Sequence, residues 1–358
     1  MNSRILHLLD ASTPSDAFEL LAMLLANSPP GTHQLAALGH HSTKTLAALA
    51  NIPPESITFL PSAGWADPTG WRAAKKICRK LQPTHVHAWG VPAALALLAS
   101  KFQGKRIATL TDLPSPQHLS ILHLVNWHGK NRFTWTTTQP ALRERLGLPA
   151  VLLTPLAIEQ LEPRDGNPGL GAGGSLASDG PILLLAGDGP HARHDLGLWV
   201  VGILHHLFPR LRTIIHEDPR NRPNPGLDKM LSSLTDPNIS IIAPPDTPWP
   251  ILVRSADVML ITADAPIPTT PIFAAINAAI PIVAGPNPTV LDLLQPDTSV
   301  LIAPSFKPRE MAAQLETLLS NPTLAQSLTT AARTQHPPNP TVVLDAYNAL
   351  YATERPPV

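Results

Sequence analysis

The sharpest chemistry-bearing string in the sequence is Gly187-Asp188-Gly189-Pro190-His191-Ala192, which follows the apolar run Ile182–Ala186. Its small residues fall at the spacing Gly-x-Gly-x-x-Gly/Ala, which lets backbone amides approach a diphosphate at a helix N-terminus. Glu217 and Asp218, at the end of the next strand, are the acids that would bind a ribose hydroxyl, although they lie further on than the usual ~20 residues. Asp188 sets a negative charge where phosphates would sit. A tight strand-to-helix turn is therefore the preferred reading, with a nicotinamide dinucleotide site as its alternative. Arg193 follows at once, in the first turn of the expected helix. A cation there gains nothing from the helix dipole, so either an anionic ligand or a solvated surface position accounts for it.

A second candidate is Gly285-Pro286-Asn287-Pro288-Thr289, after the expected strand Ile282–Ala284. Thr289 or Asn287 would cap a helix at Val290–Leu294, whose free amides can hold a phosphate; an ordinary cap is the simpler reading. The chain has 15 histidines, at spacings poor for a metal. His85 and His87 straddle a strand and are expected to face opposite ways, and His191 and His194 have no third ligand nearby, so no metal site is expected. The absence of a Gly-x-Ser-x-Gly elbow gives a hydrolase nucleophile no support. Arg72, Lys75, Lys76, Arg79 and Lys80 form a basic stripe at helical spacing. A solvated face explains it best, with contact to anionic lipid or an acidic acceptor as the alternative.

These groups must be held by a chain of 358 residues, long enough for two domains. Hydrophobic residues make up 44% and charged ones 15%, too apolar for a disordered chain. Lys+Arg 26 balances Asp+Glu 26, so no global field favours nucleic acid. The lone cysteine, Cys78, excludes a disulfide scaffold and fits a reducing compartment. The apolar run in MNSRILHLLDAS is too short for a signal peptide, and no stretch approaches the ~20 residues of a membrane helix. A cytoplasmic protein with at most peripheral membrane contact is expected.

Short apolar runs alternate with helical periodicity. Strands are expected at Arg4–Leu9, Thr84–Ala88, Ile107–Leu110, Phe133–Thr137 and Val151–Thr154, with helices at Ser15–Ala26, Pro92–Lys101 and Pro140–Leu146. The segment Glu162–Gly180 is rich in Gly, Pro and Ser and reads as a linker. The pattern then restarts with strands at Ile182–Ala186, Arg212–His216, Ile239–Ala243, Val258–Ile261 and Ile282–Ala284. Helices are expected at Ala192–Phe208, Trp249–Ser255, Pro271–Ala279, Arg309–Ser320 and Pro322–Arg333, with a last one near Val342–Ala352, and Pro219–Pro225 reads as a loop. The expected architecture is α/β, with two doubly wound Rossmann-like domains facing across a cleft. Their bounds are 1–161 and 181–335, joined by the linker 162–180. A terminal segment, 336–358, carries a helix that packs back on the first domain.

In this order, several segments resemble the retaining nucleotide-sugar glycosyltransferases of the GT-B fold (the glycosyltransferase family 4-like group). They are Pro83–Gly90 with Pro92–Ser100, Ala141–Leu146, Thr154–Glu159, Ser255–Leu260, Ala278–Ala284 and Leu318–Arg333. The resemblance implies a nucleotide-sugar donor site in the second domain, an acceptor site in the first, and transfer of a sugar between them without a bound metal or other cofactor. By it, Gly187, Gly189, Arg193, Thr269, Thr270 and Thr289 are the expected donor-binding residues and Asp112 the expected catalytic residue on the acceptor side. The acceptor is an unknown sugar, lipid or small molecule.

The sequence also departs from the family. Its paired glutamates, which clamp the donor's ribose and sugar, align with Pro266 and Ala274. Its phosphate-binding Arg and Lys align with Asp188 and Arg193, its frequent first-domain His aligns with Thr111, and its Gly-Gly turn becomes Ser12-Thr13-Pro14-Ser15. A catalytically inactive homologue acting as a binding module is therefore one alternative, and a dinucleotide-binding oxidoreductase another.

Overall fold

The computed structural model describes residues 4–10, 15–29, 31–39, 57–61, 67–110, 119–123, 133–137, 140–146, 151–152, 180–187, 192–216, 225–233, 240–243, 247, 249–336 and 340–352. The chain divides into two compact units, Met1–Leu156 with Pro340–Val358, and Ala157–Asn339.

The first unit holds strands β1 (Ile5–Asp10), β2 (His33–Leu38), β3 (Ile57–Leu60), β4 (His85–Trp89), β5 (Lys105–Leu110), β6 (Phe133–Thr137) and β7 (Val151–Leu152). They form one sheet in the order β3-β2-β1-β4-β5-β6-β7, every pairing parallel. Its helices include α1 (Ser15–Ala26), α2 (Pro68–Leu81), α3 (Val91–Ala99), α4 (Pro140–Leu146) and, from the far end of the chain, the terminal helix Pro340–Ala352. The inner parallel strands are covered on both faces, so their side chains are largely buried whichever way they alternate, while the middle of the edge strand β3 is exposed. On β1, Leu6 and Leu8 join Val86, Ala88, Ala108 and Trp135 in the core with Ala74 and Ile77 of α2 and Ala93 and Leu97 of α3. Ile5 and Leu9 join Leu35 and Trp89 against Leu20, Leu21 and Leu24 of α1 and Val343, Tyr347 and Tyr351 of the terminal helix.

The basic stripe lies on α2. Asp67 caps this helix, its Oδ1 accepting from the Thr69 N–H at 2.8 Å, and Pro68 opens its first turn. Ala74, Ile77 and Cys78 are buried while Arg72, Lys76, Arg79 and Lys80 are exposed, so the cations occupy the solvent face. The expectation for His85 and His87 is corrected. Residues two apart in a strand share a face, and both rings approach Tyr351, with centroid distances of 6.3 and 5.9 Å.

The second unit holds β8 (Ile182–Ala186), β9 (Arg212–His216), β10 (Ser240–Ala243), β11 (Val258–Ile261), β12 (Ile282–Ala284) and β13 (Leu301–Ile302), again all parallel, in the order β10-β9-β8-β11-β12-β13. Its helices are α5 (His194–Leu204), α6 (Pro225–Ser233), α7 (Trp249–Arg254), α8 (Thr270–Asn277), α9 (Pro288–Leu293), α10 (Pro308–Leu319) and α11 (Pro322–Gln335); the terminal helix is α12. The high proline content has a local use here. Pro225, Pro288, Pro308, Pro322 and Pro340 each begin a helix, where the missing N–H has no intrahelical partner to lose. Helix α5 is shorter than the expected Ala192–Phe208, and Pro225 starts a helix rather than closing a loop. The linker segment, apart from Gly180, lies outside the described residues.

In each sheet the chain runs outward on one side, then returns to lay its fourth strand beside its first. The order therefore reverses between β1 and β4, and between β8 and β11. Open α/β sheets bind ligands outside the carboxyl ends of the strands at such a reversal.

Candidate functional site

In the second unit Ala186 pairs with Ile261, so β8 and β11 end side by side and release Gly187 and Thr262 at the reversal point. Gly187 has φ +141, a conformation L side chains rarely adopt, and a Cβ there would meet the Ala192 Cβ at 3.1 Å. This close return of the backbone brings the start of α5 over the strand ends. Thr262 Oγ1 fixes it by donating to the Ala192 carbonyl at 2.7 Å.

Arg193 is the N-cap of α5, one residue before the helix rather than inside its first turn. It sits in the left-handed region, φ 55, with its carbonyl accepting from the Leu196 N–H at 2.9 Å. Its guanidinium reaches two carboxylates, Asp195 Oδ1 at 3.4 Å and Asp264 Oδ2 at 3.5 Å. Asp195 lies in the first turn of α5, where the helix dipole favours an anion. Asp264 follows β11 across the reversal point. The three side chains are 41%, 32% and 44% exposed, so the pairs are long, screened and worth little to stability. Arg193 is thus a half-exposed cation at the end of the sheet, held by two long ion pairs.

Beneath this edge the loop from Ala263 to Thr270 is pinned from below. Buried Asn287 caps α9, its Oδ1 accepting from the Thr289 and Val290 N–H groups at 2.9 and 3.2 Å. Its Nδ2 donates to the Ala263 and Ala265 carbonyls, both at 2.8 Å. Asn287, not Thr289, is therefore the side-chain cap. Thr289 Oγ1 instead accepts from the Ile267 N–H at 3.1 Å and is buried. Thr269 is the N-cap of α8, and Thr270 begins that helix; both are buried.

The structure thus brings Gly187 and Arg193 to the carboxyl end of β8 and buries Thr269, Thr270 and Thr289 at the starts of α8 and α9. Gly189 and Asp112 lie outside the described residues, as do Glu217 and Asp218. Pro266 and Ala274, at the positions of the family's glutamates, are buried. Asp264 is the exposed carboxylate of that loop and was not anticipated. Its signal in the sequence is being the first acid after the strand that returns beside β8. Among the described residues no group of three or more His, Cys, Asp or Glu side chains is placed to hold a metal. No described helix is long and apolar enough to cross a membrane.

No protein-family model matches the sequence, and no curated protein resembles it. Solved structures do match its fold. Anabaena HepE, in complex with UDP and glucose, matches with a TM-score of 0.75 at 14% identity, over 98% of this chain and 100% of that one. Sucrose-phosphate synthase from Thermosynechococcus elongatus matches with a TM-score of 0.69 at 14% identity, over 97% and 98%. A glycosyltransferase from Rickettsia africae matches with a TM-score of 0.68 at 14% identity, over 98% of both chains. At such identities the likeness establishes the architecture: the chain has the GT-B fold, with two Rossmann-like parallel-sheet units.

Proposed function

We propose that this chain binds a nucleotide-sugar donor at the carboxyl edge of its second sheet and transfers the sugar, with retention, to an acceptor bound by the first unit. The observation that carries the reading is the place of Arg193. It is a half-exposed cation at the strand-order reversal of a chain whose whole length has the fold of HepE, which binds UDP and glucose.

In this reading Arg193, the backbone at Gly187 and the N-terminal end of α5 take the charge of the diphosphate, so no bound metal is required. Gly189 is assigned to the donor side with them. Thr269, Thr270 and Thr289 are assigned to the donor side and Asp112 to the acceptor side. Retention requires the acceptor hydroxyl oxygen to bond to the anomeric carbon from the same face that the diphosphate oxygen leaves, as the bond from that carbon to the diphosphate oxygen breaks. The nucleoside diphosphate leaves with the electron pair, and its departing oxygen takes the hydroxyl proton. Preorganised positive charge is worth most at that step, because the leaving oxygen becomes more negative as it departs. A cytoplasmic setting with a reducing poise suits the single buried thiol.

One observation favours a second reading, a donor-binding module without turnover. The paired glutamates are replaced by buried Pro266 and Ala274, and Arg193 already faces two carboxylates. Incubation with UDP-, GDP- and ADP-sugars separates the two. Release of free sugar or of nucleoside diphosphate, abolished in Arg193→Ala, supports the enzyme. Saturable binding with no release supports the module.

A further inference from the structure

Three imidazoles lie in one layer between the first sheet and α12. His7 on β1 and His87 on β4 are fully buried, and His33 on β2 is 8% exposed. Their hydrogen bonds form two directed chains. Trp89 Nε1 donates to His7 Nδ1 at 3.1 Å, and an indole nitrogen can only donate. His7 therefore carries its proton on Nε2 and gives it to His33 Nδ1 at 2.8 Å. In the second chain the Thr136 hydroxyl donates to the Ala108 carbonyl at 3.4 Å. Thr109 accordingly donates to Thr136 Oγ1, and His87 Nε2–H donates to Thr109 Oγ1, both at 2.6 Å. That leaves His87 Nδ1 to accept from the Tyr351 hydroxyl at 2.7 Å. Each imidazole is neutral, and each Nδ1 already faces a donor hydrogen.

A proton added to His7 or His33 at Nδ1 would point at a hydrogen already in place. One added to His87 would force the Tyr351 hydroxyl to turn its own proton away. Among the described residues, the other titratable groups facing the layer offer no relief. They are His85 on β4, Lys105 on β5, whose Nζ donates to the Leu350 carbonyl, and Tyr347 and Tyr351 on α12. Helix α1 contributes Leu20, Leu21 and Leu24, while Asp345 of α12 is exposed. Burial, with the neighbouring imidazoles, holds His7 well below its ordinary range; burial holds His33 at about 4, and burial with His33 nearby holds His87 at about 3. Burial also lowers His85 and Lys105 and raises Tyr351.

We propose that this imidazole layer is an acid-released latch: protonation of its histidines detaches α12 from the first sheet. In the closed form the layer stays neutral, whereas in the released form each imidazole meets water and titrates near its ordinary 6.5. The attachment is fully present above that pH. It weakens as the pH falls toward the closed-form values, and at pH 5 His33 and His87 each shift the equilibrium toward release by about 30-fold.

Hydrogen–deuterium exchange of the full chain between pH 7.5 and 5, corrected for intrinsic exchange, tests this. Peptides covering residues 340–352 should lose protection as the pH falls, while peptides covering β8 and β11 keep theirs. His87→Gln retains one acceptor and one donor but cannot titrate, and should reduce the gain in opening at pH 5 by about 30-fold. His33→Gln, at the edge of the layer, makes the same prediction if the first variant fails to fold. Unchanged protection of 340–352, simultaneous loss in β8 and β11, or an unaltered pH response in the folded variant would overturn the proposal.

Discussion

Tyr351 and His87 stand 264 residues apart in the chain and 2.7 Å apart in space, the phenol donating to the imidazole Nδ1. Through this bond the last helix is tied to the centre of the first sheet. Removing the hydroxyl leaves a buried acceptor without its donor, which costs about 1–3 kcal/mol. Tyr351→Phe should lower stability to urea at pH 8 by that amount, with the m-value unchanged.

Helix α8 ends in a turn built for glycine but occupied by alanine. Ala279 has φ 55; the Ile280 N–H reaches back to the Ala275 carbonyl at 2.8 Å, and the Ala279 N–H to Ile276 at 3.1 Å. That paired pattern is a Schellman motif, whose left-handed position costs an alanine steric strain that glycine avoids. Ala279→Gly should therefore raise stability by about 0.5–1 kcal/mol despite the greater freedom of the unfolded chain. Thermal unfolding reads it as a Tm increase.

Two glycines of α5 make opposite predictions. A Cβ at Gly197 would meet Leu185 Cδ1 at 2.7 Å, whereas at Gly202 it would meet nothing within 4 Å. Gly202→Ala should stabilise by up to about 1 kcal/mol through helix propensity alone. Gly197→Ala should destabilise by about 1–3 kcal/mol, because α5 must lift from β8 to admit the methyl group. Denaturant midpoints of the two variants should move in opposite directions.

Much of the second sheet is legible in the sequence. ILLLA, RTIIH, VMLI and IVA fold as strands with the expected bounds, because a strand covered on both faces needs an unbroken apolar run. His33–Leu38 and Ile57–Leu60 escape that reading, the first opening on His-Gln and the second being four residues long with an exposed middle. Helix α2 hid behind its charges: the basic stripe was visible, but only the buried Ala74, Ile77 and Cys78 show which face packs. The histidine layer is illegible for a different reason. Its polar residues are satisfied by partners such as Tyr351 and Thr109, and sequence spacing does not reveal partners that meet only after folding. At the candidate site Gly187 and Arg193 could be named because they follow a strong strand. Asp264 could not, because its significance comes from β11 lying next to β8, a fact of strand order.

The central claim is that Arg193 at the reversal of the second sheet receives an anionic sugar carrier. Isothermal titration of the chain with UDP-, GDP- and ADP-glucose tests it most directly, with Arg193→Ala and Asp264→Asn alongside. A charge-assisted contact is worth about 1.5–3 kcal/mol, or roughly 10- to 150-fold in affinity. One of the three should bind, weakly in Arg193→Ala by that factor and more tightly in Asp264→Asn, which frees the guanidinium. Binding of equal strength in Arg193→Ala, or heat from none of the three, would contradict it.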